Sequence, residues 1–150
     1  MGQCYCTGGA RVTNLWSDVV TVYIDVAADE KTARHFERRI IEKCSVQGGT
    51  TDKASDTVRN EAAVKSVFTK DVQRYKSKDT YISLPDAQRE RYFTVGVGDY
   101  IVFGEVTDIV SNARDFAALQ IKHKNNGFKV MNVNTFIYGM NTDNIAISNS

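Results

Sequence analysis

The run DVVTVYIDV, residues 18–26, sets the strongest limit on what this chain can fold into. Val20, Val22, Ile24 and Val26 fall on one side of an extended chain, and Thr21, Tyr23 and Asp25 on the other. A period of two carried by β-branched residues predicts a half-buried strand. Such a strand needs neighbours, and the sequence offers several. KDTYISLP (78–85) reads as a strand closed by Pro85, the only proline. YFTVGVGDYIVFGEVTDI (92–109) reads as strand, turn, strand, and DAQRER before it as a polar turn. FKVMNVNTFIYGMNTDNIAIS closes the chain as a hairpin, with strands near 128–137 and 143–148. VRNEAAVKSVFTKDV (58–72) predicts a strand with Ala62, Val64, Ser66 and Phe68 on its apolar side, or a short helix at its start.

Two stretches break this pattern. SNARDFAALQIKH (111–123) predicts a short helix, capped by Ser111 or Asn112, with Ala113, Phe116 and Leu119 inward. DEKTARHFERRIIEKC (29–44) carries Ala33, Phe36, Ile40, Ile41 and Cys44 at helical spacing, yet reads equally as a turn followed by a strand from 35 to 46. VQGGTTDKASDT (46–57) is a loop by composition, long for a compact domain, and loops of that kind are usually functional or disordered. The expected architecture is mainly β: a small β-barrel of six to seven strands over residues 18–150. It carries one inserted helix near 112–123, a long loop near 46–57, and residues 1–17 as an N-terminal extension or arm.

Length and charge narrow the function. The 150 residues make one domain, and 19 basic against 18 acidic residues leave a formal net charge of +1. That balance supplies no general attraction to nucleic acid or anionic membranes. The longest apolar runs fall short of a membrane span, and MGQCYCTGG lacks the apolar core of a signal peptide. The expected compartment is therefore intracellular. Three cysteines, Cys4, Cys6 and Cys44, argue against a disulfide framework. With His35 or His123 they suggest a Cys3His metal site, but no second closely spaced ligand pair completes it.

The glycine-rich stretch GVGDYIVFGEV (96–106) is the obvious place to seek chemistry. A dinucleotide fingerprint needs a glycine where Ile101 stands, and a phosphate loop needs Lys-Ser/Thr where Asp99 follows Gly98. A turn at Gly98-Asp99 feeding a strand, with Gly104 allowing a bend, fits better. Asp99, Glu105 and Asp108 lie close in sequence but beside glycines, which suits turns rather than acid–base work. His35 and His123 sit in basic company with no recognisable nucleophile motif. The basic stretches RHFERR (34–39) and KDVQRYKSK (70–78) read as solvated faces, or as phosphate contacts within an assembly. No catalytic, cofactor or metal residue is expected.

The order VTVYIDV, RRIIEKCSVQGG, VFTKD, DTYISLP, FTVGVGDYIVFGEVTDI, FKVMNV, DNIAIS resembles that of a known family: the head-closure or minor capsid proteins of long-tailed bacteriophages, the stoppers of the head-to-tail connector. The sharpest part is the turn and strand from Gly98 and Asp99 to Gly104. The resemblance implies a non-enzymatic virion protein of the neck, assembled in the host cytoplasm. It implies a β-barrel subunit of a homo-oligomeric ring, expected to be a hexamer. Its partners would be a portal or adaptor ring above, a tail terminator or tail tube below, and double-stranded DNA held without sequence specificity. It favours a strand from about 35. It assigns Gly48, Gly49, Thr50, Thr51, Asp52, Lys53, Ala54, Ser55 and Asp56 to a loop that lines or plugs the channel. Rival readings are a tail terminator, in which 29–44 stays helical, and a small ligand-binding barrel or enzyme.

Overall fold

In a computed structural model the described residues are 16–26, 34–48 and 64–150. Seven strands form one sheet: β1 (Asp18–Val26), β2 (His35–Gly48), β3 (Lys65–Thr69), β4 (Tyr100–Phe103), β5 (Gly127–Lys129), β6 (Asn132–Phe136) and β7 (Asn144–Ser148). Their order is β5-β4-β1-β2-β3-β7-β6, and every neighbouring pair is antiparallel. Three helices accompany them: α1 (Lys78–Ser83), α2 (Asp86–Arg89) and α3 (Ala113–Lys122).

β1 lies between β4 and β2 and is buried on both faces. Val20, Val22, Ile24 and Val26 enter the main core with Ile41, Val67, Phe93, Ile101, Phe128, Ile145 and Ile147. Tyr23 enters a second cluster with Tyr100, Val102, Phe116 and Leu119. The expected half-buried strand is thus corrected: α3 covers the face that would otherwise meet water. Asn112 caps α3 by accepting from Asp115 N at 2.9 Å, while Ala113 faces solvent.

Residues 35–48 are a strand, not a helix, and β2 changes partner along its length. It pairs with β1 from His35 to Cys44 and with β3 from Cys44 to Gly48. The change falls at Lys43, whose φ of 57° is left-handed, beside a register shift between Asp18 and Val20. Such a conformation costs about 1–2 kcal/mol for a residue bearing a Cβ. The end of β3 holds it in place. Thr69 Oγ1 donates to Glu42 O at 2.8 Å, Lys70 N donates to Lys43 O at 3.0 Å, and Asp71 accepts from Glu42 N at 3.3 Å. The result is a bulged corner that bends the sheet.

Several expected elements are corrected. Lys78–Ser83 is helical rather than extended, because Tyr81 turns inward over the sheet and its N–H closes onto Ser77 O at 2.8 Å. Pro85 ends that helix by holding Leu84 extended, and Asp86–Arg89 form a second helical turn instead of a plain turn. Residues 92–95 join no ladder: a single parallel bridge links Phe93 to Tyr75, and Phe93, Thr94 and Val95 are all buried. The face of β3 is the opposite of that expected: Val67 and Thr69 point to the core, Val64 is exposed, and Ala62 lies outside the described residues. Val46–Gly48 belong to β2 rather than to the loop. Residues 1–15, 27–33 and 49–63 lie outside the described residues, and with them the arm up to residue 15 and Gly49–Asp56.

The expected barrel is not closed by its ladder, which ends at β5 on one side and β6 on the other. Those two edges are nonetheless successive parts of one segment, separated only by Val130 and Met131. Val130 N donates to Asp99 O on the β4 side at 2.8 Å, and Met131 N donates to Ser148 O on the β7 side at 2.9 Å.

Candidate functional site

The turn at 96–99 is built around a buried carboxylate. Gly98 has φ of 99°, a conformation that favours glycine, and its N–H donates to Val130 O at 2.9 Å. The fully buried Asp99 accepts from Gly96 N at 2.8 Å, from Asp25 N at 3.0 Å and from Lys78 Nζ on both oxygens at 2.8 Å. Burial pushes its carboxyl above the ordinary range, opposed by the Lys78 ammonium and the two amides. The backbone donors that an anion would need are occupied by Asp99 itself. Gly104 turns the chain off β4: its N–H donates to Val19 O, and Thr21 Oγ1 donates to its carbonyl, each at 2.8 Å. The three residues of the signature turn thus organise backbone.

The largest ionic cluster was not anticipated. On β2, His35, Glu37, Arg39 and Ile41 alternate toward the core face, opposite Val26, Ile24, Val22 and Val20. Glu37 is the hub. It accepts from Tyr81 Oη at 2.5 Å, Arg89 Nη2 at 2.9 Å and Arg39 Nη2 at 3.2 Å, and contacts His35 Nε2 at 2.6 Å. Arg89 also donates to Leu84 O at 2.9 Å and Asp86 Oδ1 at 2.5 Å. Burial alone would raise the Glu37 carboxyl, but the bonds from Tyr81, His35 and Arg89 outweigh it and hold the group at about 2. Burial, and then Glu37 as acceptor, push the Tyr81 hydroxyl up. A carboxylate so fully occupied is a clamp fastening α1 and α2 across β1 and β2. The segment RHFERR reads as solvated by composition; its two-residue alternation, in register with β1, was the signal for this cluster.

The second basic stretch is also spent internally. Lys70 lies over the Trp16 ring at 5.0 Å, Arg74 pairs with Asp71 at 2.8 Å, Lys76 lies over Tyr92 at 4.8 Å, and Lys78 holds Asp99. Cys44 is a core residue whose thiol burial pushes up to about 12, so it presents no thiolate to a metal near neutral pH. Cys4 and Cys6 lie outside the described residues, and among the described residues no three His, Cys, Asp or Glu side chains cluster as a metal site. His123 contacts Asp108 at 3.3 Å, where Lys122 also binds at 2.8 Å, and Glu105 is exposed. Of the expected channel residues only Gly48 is described; it ends β2 and pairs with Lys65. Among the described residues no helix is long and apolar enough to cross a membrane.

What the surface offers instead is apolar. Met131, just before β6, and Phe136, Ile137, Tyr138 and Met140, at its end and on the turn after it, are exposed. From Val130 to Ser150 the sequence contains one charged residue, Asp143, although 25% of the chain is charged. Asp143 faces inward and accepts from Tyr138 N at 2.9 Å and Gly139 N at 2.8 Å, bonds that lower its carboxyl. Its own N–H donates to Met140 O at 3.0 Å. The turn is therefore fixed, and its apolar side chains are presented in an organised loop. The exposed Ile109 lines an open groove of about 170 Å³ between residues 108–110 and α3.

These features define a mainly β domain: an antiparallel sheet strapped by short helices, with its ionised groups largely satisfied from within. The chain belongs to the family of unknown function DUF6751, which matches residues 15–149. No curated protein and no solved structure matches it.

Proposed function

We propose that this protein is a structural subunit of the head-to-tail connector of a long-tailed bacteriophage, a stopper or head-closure protein working as a homo-oligomeric ring. The observation that carries the reading is the β6 edge: a strand with no partner strand on its outer side among the described residues, followed by a hydrogen-bonded turn, uncharged on its surface and rich in exposed Met, Phe, Ile and Tyr. Isolated domains normally guard such an edge with lysine, proline or a covering element. Charge depletion with aromatic and Met enrichment is the composition of interface cores. The order of sequence motifs supplies the particular assembly.

In this reading residues 127–136, flanked by β4 at one end and β7 at the other, complete the wall of a small barrel-like subunit. Gly48 and Lys65 are paired, so β2 ends and β3 begins at the same end of the sheet. Copies arranged around an axis bring that many loops together, and closure arises from number and steric bulk rather than from tight grip. Lys70, Arg74, Lys76 and Lys78 are engaged inside the subunit, which suits a channel wall that DNA must pass. The tail-terminator rival expects a helix over 29–44, whereas 35–48 is a strand. The test is electron microscopy of particles containing the chain. A ring on the axis between a DNA-filled head and a tail is expected; a free monomer absent from every particle overturns the reading.

A further inference from the structure

Among the described residues the sheet ends at two edges, and the chain treats them differently. On β5 the backbone groups of Gly127 and Lys129 face outward, because Asn126 O accepts from Phe103 N and Val130 N donates to Asp99 O on the β4 side, each at 2.8 Å. That edge is guarded. Lys65 Nζ reaches across to donate to Gly127 O at 3.1 Å and Lys124 O at 3.0 Å, and Lys129 places an exposed charge on it. On β6 the outward backbone belongs to Val133 and Thr135. Asn149 N donates to Lys65 O at 3.2 Å, so the odd-numbered residues of β7 turn their backbone groups to β3 and the even-numbered ones turn theirs to β6. Opposite the latter, Asn132, Asn134 and Phe136 turn back toward β7. The N–H and C=O groups of Val133 and Thr135 are left pointing away from the sheet. Nothing guards them: Asn132, Asn134, Thr135 and Phe136 are exposed, and residues 130–142 carry no charge.

We propose that the β6 edges of two copies pair antiparallel about a two-fold axis at Asn134, so that the free chain is a dimer with one sheet running through both copies. In that register Val133 of each copy lies opposite Thr135 of the other. Every outward N–H of one β6 then meets an outward C=O of the other, using residues of β6 alone. Asn134 meets Asn134 of the second copy as a close, non-hydrogen-bonded pair. Met131, 53% exposed, and Ile137, 42% exposed, come together at both ends of the contact. A like-with-like contact sets each charge near its own copy, and this edge has none to repel, whereas the β5 edge has Lys129. Main-chain bonds supply the affinity of such strand addition. A two-fold contact closes on itself, while a ring needs contacts that propagate. The β6 pair is therefore a form of the free chain, independent of the ring reading, and it has to open before the edge is available to a ring.

The test uses the full chain with Cys4→Ser and Cys6→Ser, leaving the buried Cys44. A close antiparallel pair sets Cα atoms about 4.5 Å apart, within reach of a disulfide. On oxidation the Asn134→Cys protein is expected to form a covalent dimer. Asn132→Cys is expected to crosslink only when mixed with Phe136→Cys. In sedimentation velocity the chain without these three cysteines should dimerise, and Thr135→Pro should weaken the dimer about 30-fold or more by removing an inter-copy bond from each copy. Proline at 135 takes only an outward N–H, so the urea midpoint should stay within about 0.3 M. Thr135→Lys gives the same readout without altering the backbone. Self-crosslinking of Asn132→Cys, or a dimer that ignores both Thr135 variants, would overturn the pairing. A chain that stays monomeric at every concentration would overturn it too, while leaving the ring reading to be decided on particles.

Discussion

Replacing Glu37 by glutamine tests the clamp most directly. The side chain is 11% exposed, and its carboxyl falls from an ordinary 4.5 to about 2 in the folded protein. At about 1.4 kcal/mol per tenfold change in proton affinity, that gap corresponds to about 3 kcal/mol of stability. A second route agrees: removing one partner of a buried ion pair costs about 3–5 kcal/mol, because the remaining charge is stranded. Here the group left without a carboxylate would be Arg39, while Arg89 would keep only the exposed Asp86. The sign follows from the depressed value. The contribution is complete above about pH 4.5 and is lost as pH falls toward 2. In urea, with a slope of about 2 kcal/mol per molar for a domain of this size, the midpoint of Glu37→Gln should fall by about 1.5 M at pH 7. The gap between the two proteins should shrink steadily below pH 4.5. A variant within about 0.3 M of the parent at pH 7, or a gap that ignores pH, would refute the assignment of Glu37 as the hub.

Other outcomes follow from the same structure. A Cβ on Gly127 would lie 2.5 Å from Ile101 O and 2.9 Å from the Tyr100 ring, so Gly127→Ala should force β5 off β4 and cost about 2 kcal/mol or more by thermal unfolding. Thr94 is fully buried and its hydroxyl has no partner among the described residues; Thr94→Val should stabilise by about 1 kcal/mol, measured by urea unfolding. Deleting residues 49–56 should leave the circular dichroism spectrum of the sheet intact while impairing DNA retention or tail joining in the assembled particle; a deletion that unfolds the protein contradicts the channel role.

What was legible in the sequence was what local pattern decides. β7 alternates over its whole length, β1 carries a β-branched apolar residue at every second position from Val20 to Val26, and α3 carries both a cap and an inward pair, so periodicity finds them. The misses are places where tertiary contact overrides local preference. Thr80-Tyr81-Ile82 is strand-forming by composition, but Tyr81 gains more by reaching Glu37 from a helical turn. The reversed face of β3 follows from its register with β2, which pairs Val46 with Val67; register is not written in five residues. Glu37 and Arg39 were hidden because charge suggests exposure, and the burial that contradicts it comes from α1 and α2 across the sheet. Asp99 N closes the 96–99 turn onto Gly96 O, but the Asp99 partner Lys78 is distant in sequence and could be found only from the fold.

Residues 127–136 belong to both ends of the sheet, and this governs the order in which the chain can be completed. Bonds such as Tyr23 to Asp108, Lys65 to Asn149 and Thr21 to Gly104 already join positions more than 80 apart in sequence, a topology that folds slowly. The 127–136 segment finds its two neighbours only after β4 and β7 are in place. The turn at 137–143 leaves directly from its far end. In the proposed ring, a chain that is truncated or half folded would therefore lack the surface it needs to join its neighbours. Competence to assemble would then be withheld until folding is finished, a checkpoint written into connectivity alone.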